Sequence, residues 1–140
     1  MTTRLDSVDQ QLSAGLEEAS VERQRTAATS TALLAVSSAG VTGDIVEDAR
    51  VAITNGLTGP QHQRRLHELV AELDERAFGL QDDHPDEYLA VFSRARAAAA
   101  LACALDSDPR IAALEGVYEA QAAVDEPERI IEVARSALAG

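Results

Sequence analysis

The stretch RARAAAALACALDSDP, residues 94–109, decides how this chain folds. Nine consecutive apolar residues, Ala97–Leu105, follow two arginines, and the run ends at Asp-Ser-Asp-Pro. No carboxylate lies between Tyr88 and Leu105, although the chain is otherwise strongly acidic. At helical spacing, apolar residues cover every side of this segment, which is typical of a buried helix. We therefore predict that residues 85–105 form the central helix of the molecule.

Alanine explains why such a central helix would be thin. It has the highest helix propensity and adds little bulk, so neighbouring helices can approach closely. The chain as a whole contains 27 alanines among 140 residues. The core is therefore expected to consist mostly of small side chains.

The four prolines mark the starts of further helices. Each follows a potential capping residue by one or two positions, where a proline is tolerated because the first turn leaves its N–H without a partner. These signals predict helices that begin at Pro60, Pro85, Pro109 and Pro127. Only a few residues separate the end of each predicted helix from the start of the next, so helices that are neighbours in sequence are expected to pack antiparallel.

The region upstream of Pro60 is less regular. A short helix capped by Asp44 is predicted to end at Asn55-Gly56. Residues 7–39 predict a long helix whose two apolar stretches are separated by the polar segment 20–31, either an exposed middle or a break. No strand-like alternation is found. The predicted fold is one all-α domain over 1–140, a bundle of five to six helices, with a compact part at 58–140. Its N-terminal helix, within 1–40, would wrap that part or reach another copy.

Composition restricts the classes of partner. The chain carries 24 acidic residues against 12 arginines and no lysine, which gives a net charge of −12. Nucleic-acid binders and proteins of anionic membrane surfaces need clustered basic residues, so neither class is expected. This negative charge favours association with a basic protein.

The cysteine count and the apolar runs bear on the compartment. Cys103 is the only cysteine, so no internal disulfide can form. The first residues lack the apolar segment of a signal peptide, and Ala97–Leu105 is too short to cross a bilayer. A cytoplasmic location without a membrane association is the expectation.

Two arginines provide the main candidate site. Arg94 and Arg96 lie in the apolar segment on roughly opposite sides of the predicted helix, so each guanidinium needs a partner or must reach solvent. Glu115 and Glu119 sit one turn apart on the next helix and are the natural partners. We predict at least one arginine–glutamate bridge. The alternative is a pocket for an anionic ligand, and the nearby rings of Tyr88 and Tyr118 complete this candidate binding set.

Other reactive residues have plainer explanations. Glu68, Glu72 and Glu75 share a helix face, but no Glu-x-x-His pair accompanies them, so an exposed charged face is favoured over a metal site. The run QDDHPDE, residues 81–87, matches the preference for acidic residues at a helix N-terminus better than it matches a calcium loop. Cys103 lies among alanines and is expected to be an inert core thiol. No catalytic residue, metal or cofactor is assigned.

These observations leave three hypotheses of function. The first is a non-enzymatic, cytoplasmic interaction or regulatory protein that binds a basic partner with its acidic surface. The second is an anion-binding bundle that uses Arg94 and Arg96. The third is a metal-dependent hydrolase that uses the carboxylates of residues 68–87. A homodimer is also expected, because the apolar stretches of residues 7–39 exceed what one helix of a small bundle needs.

Overall fold

The computed structural model describes residues 3–139, of which 81% are helical and none lies in a β-strand. The all-α fold class is therefore confirmed. Met1, Thr2 and Gly140, the outermost residues of the predicted domain, lie outside the described range. The elements are a 3-10 turn at Arg4–Ser7 and the helices α1 (Gln10–Glu18), α2 (Val21–Ala39), α3 (Asp44–Thr54), α4 (Pro60–Leu80), α5 (Pro85–Ala104), α6 (Pro109–Ala122) and α7 (Pro127–Ala139).

The described residues contain seven α-helices, so the expected five to six is wrong by one. The long N-terminal helix is broken: α1 ends at Glu18, and Ala19 is extended. The Ser20 side chain then accepts a hydrogen bond from the Arg23 N–H and starts α2. A serine that satisfies a free N–H of the first turn favours a new helix over a continuous one. The break lies at the start of the polar segment 20–31, so of the two alternatives, an exposed middle or a break, the structure shows the break.

The four prolines are each the first residue of a helix, as predicted. The expected caps are only partly present. Asp108 accepts hydrogen bonds from two N–H groups of α6, but the residues before Pro60 and Pro85 make no side-chain cap. Asp44 is the first residue of α3, not its cap, because Gly43 takes the capping position with a positive φ of 120°.

The alanine-rich half of α5 lies in the core, as predicted. The prediction of a buried helix over the whole of residues 85–105 is wrong for its first turns, because Leu89 is 59% exposed. From Ala95 to Leu105 every residue except Arg96, Ala99 and Cys103 is at most 4% exposed. Helices α2, α4 and α6 pack around this half. The placement of the N-terminal region differs from the expectation, because α2 neither wraps the bundle nor points away. It packs against α5, α6 and α7, and Ala27, Ala28, Thr31 and Ala32 are fully buried.

Helix directions follow from contacts near the helix ends. The Gln63 side chain of α4 donates to the Ala102 carbonyl at 3.0 Å, while Asp74, later in α4, meets Arg96, earlier in α5. Helices α4 and α5 are therefore antiparallel, as expected for sequence neighbours. Helix α7 instead packs more extensively against α2 than against its neighbour α6.

The buried end of α5 is closed by side chains from other helices. The Arg25 guanidinium of α2 donates to the carbonyls of Asp106 at 2.6 Å and Ser107 at 2.8 Å. Arg25 also donates to the Ala104 carbonyl of α5 at 3.4 Å, and Gln63 of α4 donates to the Ala102 carbonyl. The last carbonyls of a helix have no partner within it, so these two bonds satisfy groups that burial would otherwise leave unpaired. This end of α5 is thereby fixed to α2 and α4.

Candidate functional site

The predicted arginine–glutamate bridge is present between α5 and α6. Arg96 donates to Glu119 at 3.0 Å, and its other terminal nitrogen donates to both Asp74 oxygens at 2.7 and 2.9 Å. The Glu119 side chain is only 7% exposed and that of Arg96 18%. Buried charges of this kind are stable only when they are paired and hydrogen-bonded. The bridge therefore joins α4, α5 and α6 at one point.

Arg4 is a member of this cluster that the sequence did not reveal. From the 3-10 turn it donates to Glu115 at 2.6 Å and to Glu119 at 3.0 Å, and its guanidinium lies 4.4 Å from the centre of the Tyr118 ring. The hydrogen bond to Glu115 raises the pKa of Arg4, against an opposing effect of partial burial. No local pattern signals this contact, because more than a hundred residues separate the partners.

Arg94 and Tyr88 do not join the cluster. Among residues 3–139, neither side chain makes an ion pair or hydrogen bond with its members. Arg94 is half-buried with an unpartnered Nε, and Tyr88 packs against Phe92 with ring centres 5.9 Å apart. The structure thus brings together Arg96, Glu115, Glu119 and Tyr118 of the predicted set.

The charges of this cluster favour a structural role. Three carboxylates, from Asp74, Glu115 and Glu119, surround the two guanidinium groups of Arg4 and Arg96. Each guanidinium already has two carboxylate partners, so an external anion would meet net negative charge. Neither of two surface cavities, one beside Leu34 and Leu89 and one beside Val8 and Arg135, includes a residue of the cluster. The geometry lends no support to an anion pocket at this point.

A cavity lies elsewhere, where one end each of α2, α5, α6 and α7 meets. It is an open groove of about 620 Å³. Its walls combine apolar and polar side chains: Leu34, Ser38, Ala39, Leu89, Ala90, Ser93, Ala123, Val124, Asp125, Glu126, Arg129 and Ile130. None of the site residues predicted from the sequence lines it. Four separate helix ends form the groove, so a periodic pattern in one helix could not indicate it.

The groove lies beside two acidic turns. The α4–α5 turn and the start of α5 carry four exposed carboxylates, and the α6–α7 turn with the start of α7 carries three. Within residues 3–139, none of the seven lies within 4.0 Å of an arginine nitrogen. We call this surface the acidic end; its members are Asp82, Asp83, Asp86, Glu87, Asp125, Glu126 and Glu128.

The remaining candidate residues are dispersed. Across residues 3–139, no three His, Cys, Asp or Glu side chains are arranged to hold a metal ion. Glu68, Glu72 and Glu75 lie exposed along α4. Burial raises the pKa of Cys103 to about 12, and the Glu119 and Glu115 charges act in the same direction. A thiol in this state is a poor nucleophile at neutral pH, because the thiolate is the reactive form.

No helix within residues 3–139 combines the length and the apolar character needed to span a membrane. Comparison of the chain with models of known protein families, with curated proteins and with solved structures gives no match.

Proposed function

We propose that this protein is a non-enzymatic interaction protein that binds a basic segment of another protein at its acidic end. The single observation that carries the proposal is the concentration of uncompensated charge around one groove. The seven exposed carboxylates of the acidic end lie on two neighbouring turns, and within residues 3–139 none of them forms an ion pair with an arginine. Other carboxylates without an arginine partner, such as Glu68, Glu72 and Glu75, are instead spread along one helix. A surface of uncompensated charge attracts a partner of opposite sign and accelerates the encounter.

The observed contacts give less support to the anion-binding bundle, the metal-dependent hydrolase and the homodimer. Arg96, the centre of the anion-binding alternative, is already held by Asp74 and Glu119. The metal-dependent hydrolase would need converging ligands, which the carboxylates of residues 68–87 do not provide. The homodimer was expected because the apolar stretches of residues 7–39 exceed what one helix needs. That argument is weakened, because Ala27, Ala32 and Ala35 of α2 are fully buried within one chain.

A short fluorescent lysine-rich peptide can test the proposal by anisotropy. Three neutral substitutions at the acidic end, Asp82→Asn, Asp83→Asn and Asp125→Asn, should weaken binding about tenfold, since each exposed charge contributes on the order of 0.5 kcal/mol. The affinity should also fall as salt is added.

The matched control carries Glu68→Gln, Glu72→Gln and Glu75→Gln on the exposed face of α4. It has the same net charge as the first variant, so it should lose clearly less affinity. Equal losses in the two variants would mean that the peptide responds only to overall charge and would contradict the proposal, as would an affinity that does not depend on salt.

A further inference from the structure

The groove at the acidic end offers apolar surface as well as charge. Leu89 of α5 stands at its edge and is 59% exposed, while Leu34 and Val124 are half-buried in its walls. Phe78, at 79% exposure, is the most exposed large apolar residue described. The contacts of Asp74 with Arg96 and of Gln63 with Ala102 set the register between α4 and α5. They place Phe78 between the levels of Glu87 and Phe92, beside the groove but not in its lining.

Carboxylates flank this apolar surface on two sides. Asp86 precedes Leu89 and Ala90 by one helical turn and so shares their face of α5. Asp125 and Glu126 form part of the opposite wall. Arg129 is the one arginine in the lining, so carboxylates outnumber cations there even before Asp86 is counted.

This combination discriminates among occupants. An anionic ligand or an anionic membrane surface would be repelled by the carboxylates. A second copy of this chain carries a net charge of −12, and seven of its twelve arginines already bind its own carboxylates or carbonyls. A separate partner that is both basic and apolar matches the two features together.

We infer that the groove receives large aliphatic or aromatic side chains of a partner segment, while flanking lysines or arginines of that segment contact the acidic end. The partner is therefore an amphipathic basic segment and not merely a basic surface. This inference rests on the proposed function and adds the apolar anchor to it. Apolar anchors that fill a pocket within a charged rim supply most of the affinity in many interfaces, whereas rim charges govern specificity and rate.

Two peptides of equal charge distinguish the contribution of apolar anchoring to the affinity from that of charge. One is a lysine-rich peptide with leucines at regular intervals, and the other has serine in place of every leucine. The leucine peptide should bind the unmodified protein at least about tenfold more tightly, because burial of even one leucine side chain is worth that factor.

A substitution that fills the groove tests whether the leucine side chains of the peptide bind there. Ala90→Trp places a large ring on the exposed groove wall of α5 and should reduce the affinity of the leucine peptide to that of the serine peptide. Ala71→Trp, at an exposed position of α4, is the matched control and should leave both affinities unchanged. Circular dichroism of both variants should match the unmodified protein, since both positions are exposed.

The outcomes distinguish this inference from the proposed function. If both peptides bind equally but the variant with Asp82→Asn, Asp83→Asn and Asp125→Asn still weakens them, the charge-based function stands and the anchor is overturned. A leucine preference that survives Ala90→Trp would also overturn it. If that acidic-end variant and its α4 control behave alike with both peptides, both proposals fail.

Discussion

The two halves of α5 have the same backbone but opposite surroundings. From Ala95 onward the helix is enclosed by α2, α4 and α6, and Leu101 is fully buried. Before Val91 it lies at the surface, and Leu89 is 59% exposed on the edge of the groove. Apolar character alone therefore does not predict burial here. The neighbours decide, because only the C-terminal half has helices on all sides.

Charge follows the same division. Arg96 in the buried half has two carboxylate partners, and Arg25 closes that end of the helix. In the open half Asp86 and Glu87 have no arginine partner among the described residues. The charges of one half thus hold neighbouring helices together, whereas those of the other half make no such contact among the described residues.

Thiol reactivity should show the largest contrast between the two halves. Because burial raises the pKa of Cys103 to about 12 from its ordinary value of 9.0, its thiolate population near pH 8 is about a thousandfold lower than that of an unperturbed thiol. A cysteine introduced by Ala90→Cys in a Cys103→Ala background should therefore react with a small disulfide reagent up to about a thousandfold faster. Similar rates at the two positions would contradict the enclosed state of the buried half.

Truncation of one leucine in each half compares their packing. Leu101→Ala removes a fully buried side chain and should lower the free energy of unfolding by about 2–5 kcal/mol. Leu89→Ala removes an exposed one and should change it by at most about 0.5 kcal/mol. Urea denaturation of both variants measures the difference. A large loss for Leu89→Ala would mean that the open half is covered in solution.

The buried ion pairs can be compared with a surface pair. Glu119→Gln removes the charge that both Arg4 and Arg96 contact and should cost about 2 kcal/mol. Glu47→Gln affects only the exposed pair with Arg50 and should cost less than about 0.5 kcal/mol. Thermal and denaturant unfolding of the two variants test this order, and equal costs would show that the cluster does not hold the helices together.

Acid titration should give the smallest effect. The hydrogen bond from the Leu12 N–H lowers the pKa of Asp9 below its ordinary value of 3.8, and Arg135 adds to this, although partial burial opposes it. A depressed pKa means that Asp9 stabilises the fold above pH 3.8 and loses this effect as the pH falls through its folded-state value. Asparagine can still cap α1, so Asp9→Asn removes only the charge. It should cost at most about 0.5 kcal/mol at pH 7, and the deficit should shrink in acid. Asp82→Asn, which removes an unpaired carboxylate, should show no such trend in the same unfolding series.

Much of the fold could be predicted from local patterns. The prolines located four helix starts, and the alanine run identified the buried half of α5, because both signals depend on backbone geometry and helical spacing. The break at Ala19 was harder to predict, because the buried Gln24 side chain supports it by donating to the Leu16 carbonyl of α1, a contact that depends on how the two helices meet. The place of α2 in the core could not be inferred, because its mixture of alanine, serine and threonine gives no clear apolar face.

The candidate site shows the same limit. At least one arginine–glutamate bridge between α5 and α6 was expected from the antiparallel packing of neighbouring helices. The structure decided that Arg96, and not Arg94, forms it with Glu119. The contacts of Arg4 and the position of the groove could not be predicted in this way, because both are formed by segments that are far apart in the chain.

The sequence by itself determined the helical class, the acidic charge and the burial of the alanine-rich segment. Each of these depends on composition or on residues within a few turns of one another. Only the tertiary structure decided which carboxylates are paired and where four helix ends leave a groove. These features depend on the relative positions of whole helices, which long-range packing sets and no local pattern records.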